Sequence, residues 1–525
     1  MVHCGKILNK IKVEMSVNTE NSKRLAKNTV LLYIRMALIM VVTLYTSRVV
    51  LNALGVEDYG IYNAVGGFVA MFGVISNSLT AAISRFITFE LGKGNHEKIK
   101  DVFSTSVVIQ LIIVGIILLI CETLGLWFLN AKMTIPLERL TAANWVYQLS
   151  LITFVINIIS VPYNACIVAH EKMGAFAAIG VFQALGTLLI AFLINSTPID
   201  GLVFYSILMA LLAVIIRILY GYYCKKNFSE CTFRWVFKKI LMKEIFSFAG
   251  WNFIGSTSAV LRDQGINILL NLFCGVTVNA ARGIAMQVSN AVMQFSNNFM
   301  TALNPQITKS YAIGDKEYLM KLVFQGSRLS FYLLLFISLP LIIETETVLA
   351  LWLKTVPAHT ALFVRLILVY VMIESVSFTL ITLMLATGKI KNYQIVVGGF
   401  QLLIFPLSYI VLKIGWFPES TVLVCIFVAI INLFIRLNML NKTVELSVKD
   451  FILKVVLNVS LVFITSFFVS QLFCYYMPSN WLYFLVKLPI IFSICLGAIF
   501  YVGCTKMERL YLIERLSLIK NKIMR

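Results

Sequence analysis

Long apolar runs, broken by short polar or basic stretches, set the rhythm of this chain. Runs of about 20 apolar residues are the length of a membrane-crossing helix. Read that way, the pattern predicts about fourteen spans, over 28–52, 59–90, 101–124, 141–163, 174–194, 201–223, 244–273, 276–304, 319–343, 359–385, 393–413, 420–438, 451–474 and 482–503. The fold class expected is an all-α polytopic membrane protein.

The pattern also repeats. Gly55-Val56, Ser76-Asn77, Ala82, Ile87, Thr88, Gly94 and Glu97 return 220 positions later as Gly275-Val276, Ser296-Asn297, Ala302, Ile307, Thr308, Gly314 and Glu317. A second echo pairs Ser160, Ala169 and Lys172 with Ser377, Ala386 and Lys389. Each copy holds an even number of spans, so both enter the membrane in the same direction. Parallel halves of this kind are an architecture of transporters that rock one half against the other. The expected divisions are a basic tail (1–27), a first lobe of six spans (28–223), a linker (224–243), a second lobe of six spans (244–440), two further spans (451–503) and an amphipathic tail (504–525). The two lobes would surround a central cavity.

Composition agrees with the pattern and narrows its meaning. Of 525 residues 60% are hydrophobic and 13% charged. That much apolar surface needs a bilayer as solvent. The net charge of +20 could suggest nucleic acid, but its placement argues otherwise. With the amino terminus inside, about thirty Lys and Arg fall on inside segments, while outside loops carry Lys132, Arg139 and Lys354. The expected topology is therefore N-in and C-in, with no nucleic acid partner. The linker sets Phe233, Trp235 and Phe237 among Lys225, Lys226, Arg234, Lys238, Lys239 and Lys243, as an amphipathic segment on an anionic leaflet would. The stretch from Met507 to Leu516 reads as a basic amphipathic helix. The ten cysteines are scattered without CxxC spacing, so neither a disulfide framework nor a metal site is indicated.

No nucleotide fingerprint, metal-ligand cluster or nucleophile–base set is visible. The expectation is a non-enzyme without a cofactor, and any uphill movement would draw on an ion gradient or on consumption of the substrate. The informative residues are polar groups at membrane depth. In the eighth span Gln287, Asn290, Gln294, Asn297, Thr301 and Asn304 are spaced 3, 4, 3, 4, 3 and share one helix face. An amide stripe cannot face lipid with its hydrogen-bonding groups unmet. It is either interhelical glue or the wall of a hydrated cavity that takes sugar hydroxyls. The corresponding face of the second span, Gly67, Ala70, Val74, Asn77, Ala81 and Ser84, is mostly small and apolar.

Charges at depth are expensive and are read as functional by default. Arg35, Arg48, Arg85 and Arg262 are candidates for phosphate, which suits the planar guanidinium. Asp263 and Glu374 are candidates for proton or sodium coupling. Arg262 and Asp263, about 100° apart on a helix, are expected not to face each other, with Asp263 toward the cavity. Arg217, Arg282, Arg328, Arg365, Lys413, Arg436 and Lys487 lie nearer span ends and are expected to snorkel, as Arg48 could.

Asn28-Thr29, the run Ser47-Arg48-Val49-Val50-Leu51-Asn52-Ala53-Leu54-Gly55-Val56-Glu57-Asp58-Tyr59-Gly60, the stretch Ser84-Arg85-Phe86 with Leu91-Gly92-Lys93-Gly94-Asn95, and Val161-Pro162-Tyr163-Asn164-Ala165 with Ala169-His170-Glu171-Lys172-Met173 are similar to the signatures of bacterial polysaccharide flippases. The chain thus resembles Wzx-type O-antigen and capsule repeat-unit transporters of the multidrug/oligosaccharidyl-lipid/polysaccharide exporter (MOP) superfamily. The last two spans are similar to the extra pair of the fourteen-span peptidoglycan lipid flippases. The resemblance implies two six-helix lobes around a V-shaped cavity in the bacterial inner membrane, and an undecaprenyl-pyrophosphate-linked oligosaccharide as substrate. It implies arginines on spans 1, 2 and 7 that receive the pyrophosphate, and Arg35, Arg48, Arg85 and Arg262 occupy those spans. Membrane lipids, a polysaccharide polymerase and a chain-length regulator are the partners implied. A multidrug exporter of the same fold, a peptidoglycan precursor flippase and a membrane polymerase or ligase are the competing readings.

Overall fold

The computed structural model describes residues 2–70, 73–131, 135–194, 200–234, 238–353, 356–477, 481–506, 508–510 and 513, and side chains from Ala26 onward with scattered exceptions. Lys132, Trp235, Phe237, Lys354 and most of 507–516 lie outside the described residues, as do the side chains of Ala70 and Val74. All elements found among the described residues are helical, and they group into two compact units. Unit 1 is Met1–Thr257 with Thr301–Asp315; unit 2 is Ser258–Met300 with Lys316–Arg525.

Unit 1 contains α1 (Val2–Ala70), α2 (Gly73–Gly92), α3 (His96–Ile120), α4 (Leu126–Ala131), α5 (Leu140–Ala169), α6 (Met173–Leu193) and α7 (Gly201–Asn227). The helix of α1 runs on past the expected end of the first span and breaks at Gly55, whose φ of 78° and ψ of 171° no β-carbon-bearing residue adopts readily. Helix starts follow local chemistry. Asn95 accepts a hydrogen bond from the Lys98 amide, and Asp200 accepts from the amides of Leu202 and Val203. A wide turn at Cys121–Gly125 continues α3 into α4, and Tyr147 Oη donates to the Cys121 carbonyl there at 2.8 Å. A carbonyl shifted from its regular partner needs such a donor where water is absent. Ile83, Ile87, Phe103, Ile167 and Cys224 build one apolar core, and Val65, Val146, Tyr147 and Leu151 build a second.

Unit 2 holds most of α9 (Val276–Ile313) and part of α8 (Lys239–Cys274), together with α10 (Lys316–Ile343), α11 (Thr345–Trp352), α12 (Thr360–Ser375), α13 (Phe378–Thr387), α14 (Lys391–Leu402), α15 (Ile404–Lys413), α16 (Ser420–Val444), α17 (Val448–Phe451), α18 (Leu457–Tyr475) and α19 (Trp481–Ala498). The expected tenth span is two helices. It breaks at Val376–Ser377, where Ser327 Oγ donates to the Val376 carbonyl at 2.9 Å. The eighth span does not stop at 304 but runs to Ile313 through Pro305, so the connection to α10 is short. Proline is tolerated in such helices where neighbours satisfy the freed carbonyl.

Among the described residues, eleven helical segments are long and apolar enough to cross a membrane. They match eleven of the fourteen expected spans. The other three correspond to the second part of α1 with α2, to α8 and to α9. Helices of 36 and 38 residues are about 54 and 57 Å long, well beyond a bilayer core of about 30 Å. Their composition is what sets them apart: α8 carries Arg262-Asp263-Gln264 and Asn267, and α9 carries the amide stripe. Elsewhere large apolar side chains such as Leu119, Leu189, Ile218, Phe427 and Phe468 stand well exposed, as lipid-facing residues do.

The repeat glycines share a backbone role. Gly55 and Gly275 have φ of 78° and 84°, and Gly94 and Gly314 have 70° and 77°. Each corresponding pair ends or breaks a helix in the left-handed region, where a β-carbon is strained.

Candidate functional site

The α9 stripe has two kinds of neighbours. Gln287, Asn290, Gln294 and Asn297 are exposed, and Thr301 and Asn304 are part-buried. The opposite face carries Arg282, Ser289, Val292 and Ser296, all buried. The stripe is thus the accessible side of a helix that is not apolar enough to be among the eleven.

Beside it, α8, α9, α12 and α16 hold a cluster of charges within unit 2. Arg262 donates from Nε and Nη2 to the two carboxylate oxygens of Asp263, each at 3.0 Å. This corrects the expectation that the two do not face each other. Adjacent β-carbons are separated by about 100° of arc on a narrow cylinder, and the long arginine side chain reaches around it. Arg262 also donates from Nη1 to Tyr370 Oη at 2.9 Å. Arg282 approaches the same carboxylate at 3.7 Å, donates to the Asp263 carbonyl at 3.4 Å, and hydrogen-bonds Asn267 Oδ1. Asp263 is a third exposed, whereas the Arg262 and Arg282 side chains are 12% and 5% exposed. Two guanidinium groups therefore share one carboxylate, and the group carries a surplus positive charge.

Glu374 lies one helical turn beyond Tyr370 on α12, two residues before the break at Val376. It faces Arg436 of α16 at 3.9 Å, and Arg436 also donates to Tyr393 Oη at 3.4 Å. Both candidate coupling acids thus have arginine partners. Arg282, Arg328, Arg436 and Lys487 are 4%, 7%, 1% and 4% exposed, which corrects the snorkelling expected of them. Nearness to a span end says how far a side chain could reach, not whether a partner waits inside. Lys413 is exposed, and Arg217 lies over the Tyr163 ring at 3.9 Å.

The remaining arginines belong to unit 1 and have separate surroundings. Arg35 packs over the Phe176 ring of α6 at 4.3 Å, and Gly180 makes room for it, since a β-carbon there would stand 2.5 Å from Arg35 Nε. Arg85 lies over Phe86 and Phe89, both at 4.7 Å, and Phe248 at 5.9 Å. Arg48 is exposed. Of the residues singled out from sequence, the structure brings Arg262 and Asp263 into contact and sets Glu374 one turn from their tyrosine partner. Sequence reasoning missed Tyr370, Arg282 and Arg436 as members of this cluster. A usable signal existed for Tyr370, four residues before Glu374 and so on its face of the helix.

These features define a polytopic helical membrane protein with polar and charged groups gathered at membrane depth. Solved structures with the same fold are transporters. One, described as the outward-facing conformation of a multidrug resistance MATE family transporter of the MOP superfamily, superposes with a TM-score of 0.71 at 13% identity, over 81% of this chain and 97% of that one. Another, a MOP superfamily transporter from Pyrococcus furiosus noted for the reverse polarity of its binding pocket, gives 0.68 at 14% identity, over 80% and 97%. At such identities the likeness shows the fold alone.

The sequence goes further. The polysaccharide biosynthesis protein family matches residues 25–311, more than half of the chain, and the chain belongs to that family. It is also 21% identical over 290 residues to the uncharacterized membrane protein EpsK of Bacillus subtilis (strain 168), covering 54% of this chain and 56% of that protein. The chain therefore matches little more than half the length of this curated relative. The motifs of the first half that resemble polysaccharide flippases lie within the matched region, and the protein is a multi-pass membrane protein of the polysaccharide biosynthesis family with the fold of the MOP-superfamily structures.

Proposed function

We propose that this transporter moves an undecaprenyl-pyrophosphate-linked oligosaccharide repeat unit from the inner to the outer leaflet of the bacterial cytoplasmic membrane, by alternating access, for O-antigen, capsule or exopolysaccharide assembly. The observation that carries this reading is the exposed amide face of α9. Gln287, Asn290, Gln294 and Asn297 offer neutral donors and acceptors in a row, the chemistry that sugar hydroxyls need. Asn304 extends the row. Family membership supports a polysaccharide substrate, and the fold supports transport.

The pyrophosphate is assigned to arginine. Arg262, with Arg282 beside it, supplies surplus positive charge at membrane depth, and Arg35, Arg48 and Arg85 are the unit 1 arginines assigned to the same anion. Asp263 is assigned to ion coupling: binding a proton or sodium ion there would loosen its hold on Arg262 and free that fork for phosphate. Glu374, held by Arg436, is the second acid in this role. A cation-exporting multidrug transporter would want unpaired acids, whereas both acids here face arginines. Both termini are placed on the cytoplasmic side. A polymerase and a chain-length regulator are the proposed partners.

Deletion tests the reading. Lipid-linked repeat units should accumulate on the inner leaflet, and Arg262→Ala should lower surface polysaccharide about tenfold, the scale of one lost charge-assisted contact. Repeat units that reach the outer leaflet in a strain without this protein and without any other flippase would sink the proposal. Accumulation of peptidoglycan precursor in their place would transfer the protein to that substrate.

A further inference from the structure

α12 and α16 pack side by side in unit 2, and their starts meet. His359, the residue before α12, sets Nδ1 2.8 Å from Oε1 of Glu419, the residue before α16. The Glu419 side chain is 1% exposed and that of His359 41%. Fifteen residues on along α12 and seventeen along α16, Glu374 and Arg436 join the same two helices again. That second pair lies about 22–25 Å deeper. The two pairs have opposite polarity: α12 gives the base at the start and the acid at depth, and α16 the reverse.

Glu419 has no permanent counter-charge among the described residues. Its second oxygen, Oε2, is buried without a hydrogen-bond partner there, as is the neighbouring Ser420 Oγ. Lys354 lies outside the described residues. The other charged groups described at this end are engaged elsewhere. Glu346 pairs with Arg365 at 3.3 Å, Glu344 pairs with Lys487 at 2.7 Å, and Lys413 stands 5.7 Å from the Tyr409 ring. Cys274, at the end of α8, is within electrostatic reach of Glu419, but a thiol brings no positive charge.

The cation for this buried carboxylate is therefore an imidazole, which is a cation only when protonated. With a neutral ring the acid is a buried charge without compensation, and a proton on the ring completes the pair. The ring is part-exposed, so protons reach it from the medium without a path through the protein. It is also held in place. His359 has a left-handed backbone, φ 70°, where a β-carbon is strained, and Thr360 N and Oγ1 close the turn on the Pro357 carbonyl at 3.3 and 2.8 Å.

We propose that His359 and Glu419 form an external proton-binding clasp. A proton taken up by His359 draws the starts of α12 and α16 together, and its loss frees them. The medium outside thus sets the hold on the two helices that carry Glu374 and Arg436. Placement of the clasp outside rests on the membrane orientation proposed above; the pairing does not.

Hydrogen exchange of full-length protein in lipid nanodiscs tests the pairing. At about pH 5.5, His359→Gln should exchange about tenfold faster than the parent in the first turns of α12 and α16, and at about pH 7.5 within about twofold of it. Comparison at one pH cancels the intrinsic exchange rate. In a Glu419→Gln background, His359→Gln should have no further effect at either pH. His170→Gln, which breaks the His–Glu pair of unit 1, should leave these two segments unchanged. The same ratio of His359→Gln to parent at both pH values, or an effect that persists in the Glu419→Gln background, would overturn the clasp. Right-side-out membrane vesicles with a buffered interior test its placement: acidifying the outer medium alone should slow exchange in the parent. A response to interior pH alone would overturn the external placement and the orientation with it. Delivery of polysaccharide is read in neither test, so failure of the substrate reading shows separately.

Discussion

Lys487→Met should destabilise unit 2 by about 3 kcal/mol, the lower end of the cost of breaking a buried ion pair. Lys487 Nζ lies 2.7 Å from Glu344 Oε1, with side chains 4% and 9% exposed. The second carboxylate oxygen already accepts from Thr347 Oγ1 at 2.8 Å. Methionine keeps the length and most of the packing of lysine, so the loss reads the charge. What remains is a carboxylate in a dry setting with one hydroxyl donor, and its desolvation is no longer offset. Removing both charges with Glu344→Gln and Lys487→Met should recover most of the loss, leaving a coupling energy of at least about 1.5 kcal/mol. The assay is denaturant unfolding in lipid nanodiscs, paired with hydrogen exchange of α18 and α19. Exchange should rise in α19 first, because the pair fixes that helix to the end of α10. The other end of the same contact is held independently, by Arg328 donating to the Gly503 carbonyl at 3.2 Å and pairing with Glu508. Single substitutions that each cost under about 1 kcal/mol and simply add would refute the reasoning, since that is how an exposed pair behaves.

Gly275→Ala should cost about 1–3 kcal/mol through backbone strain alone, since no atom lies within 4 Å of the added carbon; Gly283→Ala, equally open but with ordinary φ, should cost nothing, and thermal unfolding compares them. Asn290→Leu with Gln294→Leu should leave the folded yield intact yet cut surface polysaccharide about tenfold or more, measured by antiserum or by sugar analysis; unchanged delivery would count against the stripe. His170 lies between two spans, where burial lowers its pKa below the ordinary value while Glu230, 2.6 Å away, pulls the other way. A group whose folded pKa is depressed stabilises above its unfolded value of about 6.5 and loses that contribution as pH falls, so hydrogen exchange over residues 224–232 should quicken between pH 7 and pH 5.

Much of this protein was legible along the chain because the bilayer imposes a one-dimensional rule: a helix must be long and apolar to cross. The same rule read α8 and α9 as spans although they are less apolar than the eleven, and the 3–4 spacing placed six polar residues of α9 on one face. What periodicity could not supply was the partner of each charge. Arg282 and Arg436 read as snorkelling residues because sequence position measures distance to a helix end. Their burial depends on Asp263 and Glu374, which lie on other helices. Arg262 and Asp263 were misjudged for a smaller reason, since direction around a helix axis says little about where a flexible guanidinium ends.

The sequence by itself determined the helical class, most of the spans, the repeat and the family, because hydropathy, spacing and local motifs are properties of contiguous residues. It also marked Gly55, Gly94, Gly275 and Gly314 as fixed points, and their left-handed backbone supplies the reason. Tertiary structure alone decided which charges meet, that the accessible face of α9 is its amide face, and that Asn28, Gly92 and Glu171 converge on Lys309. Apart from the adjacent Arg262 and Asp263, those contacts join residues from 15 to more than 200 positions apart, and only packing of the folded helices sets which of the many possible pairs comes within a few ångströms.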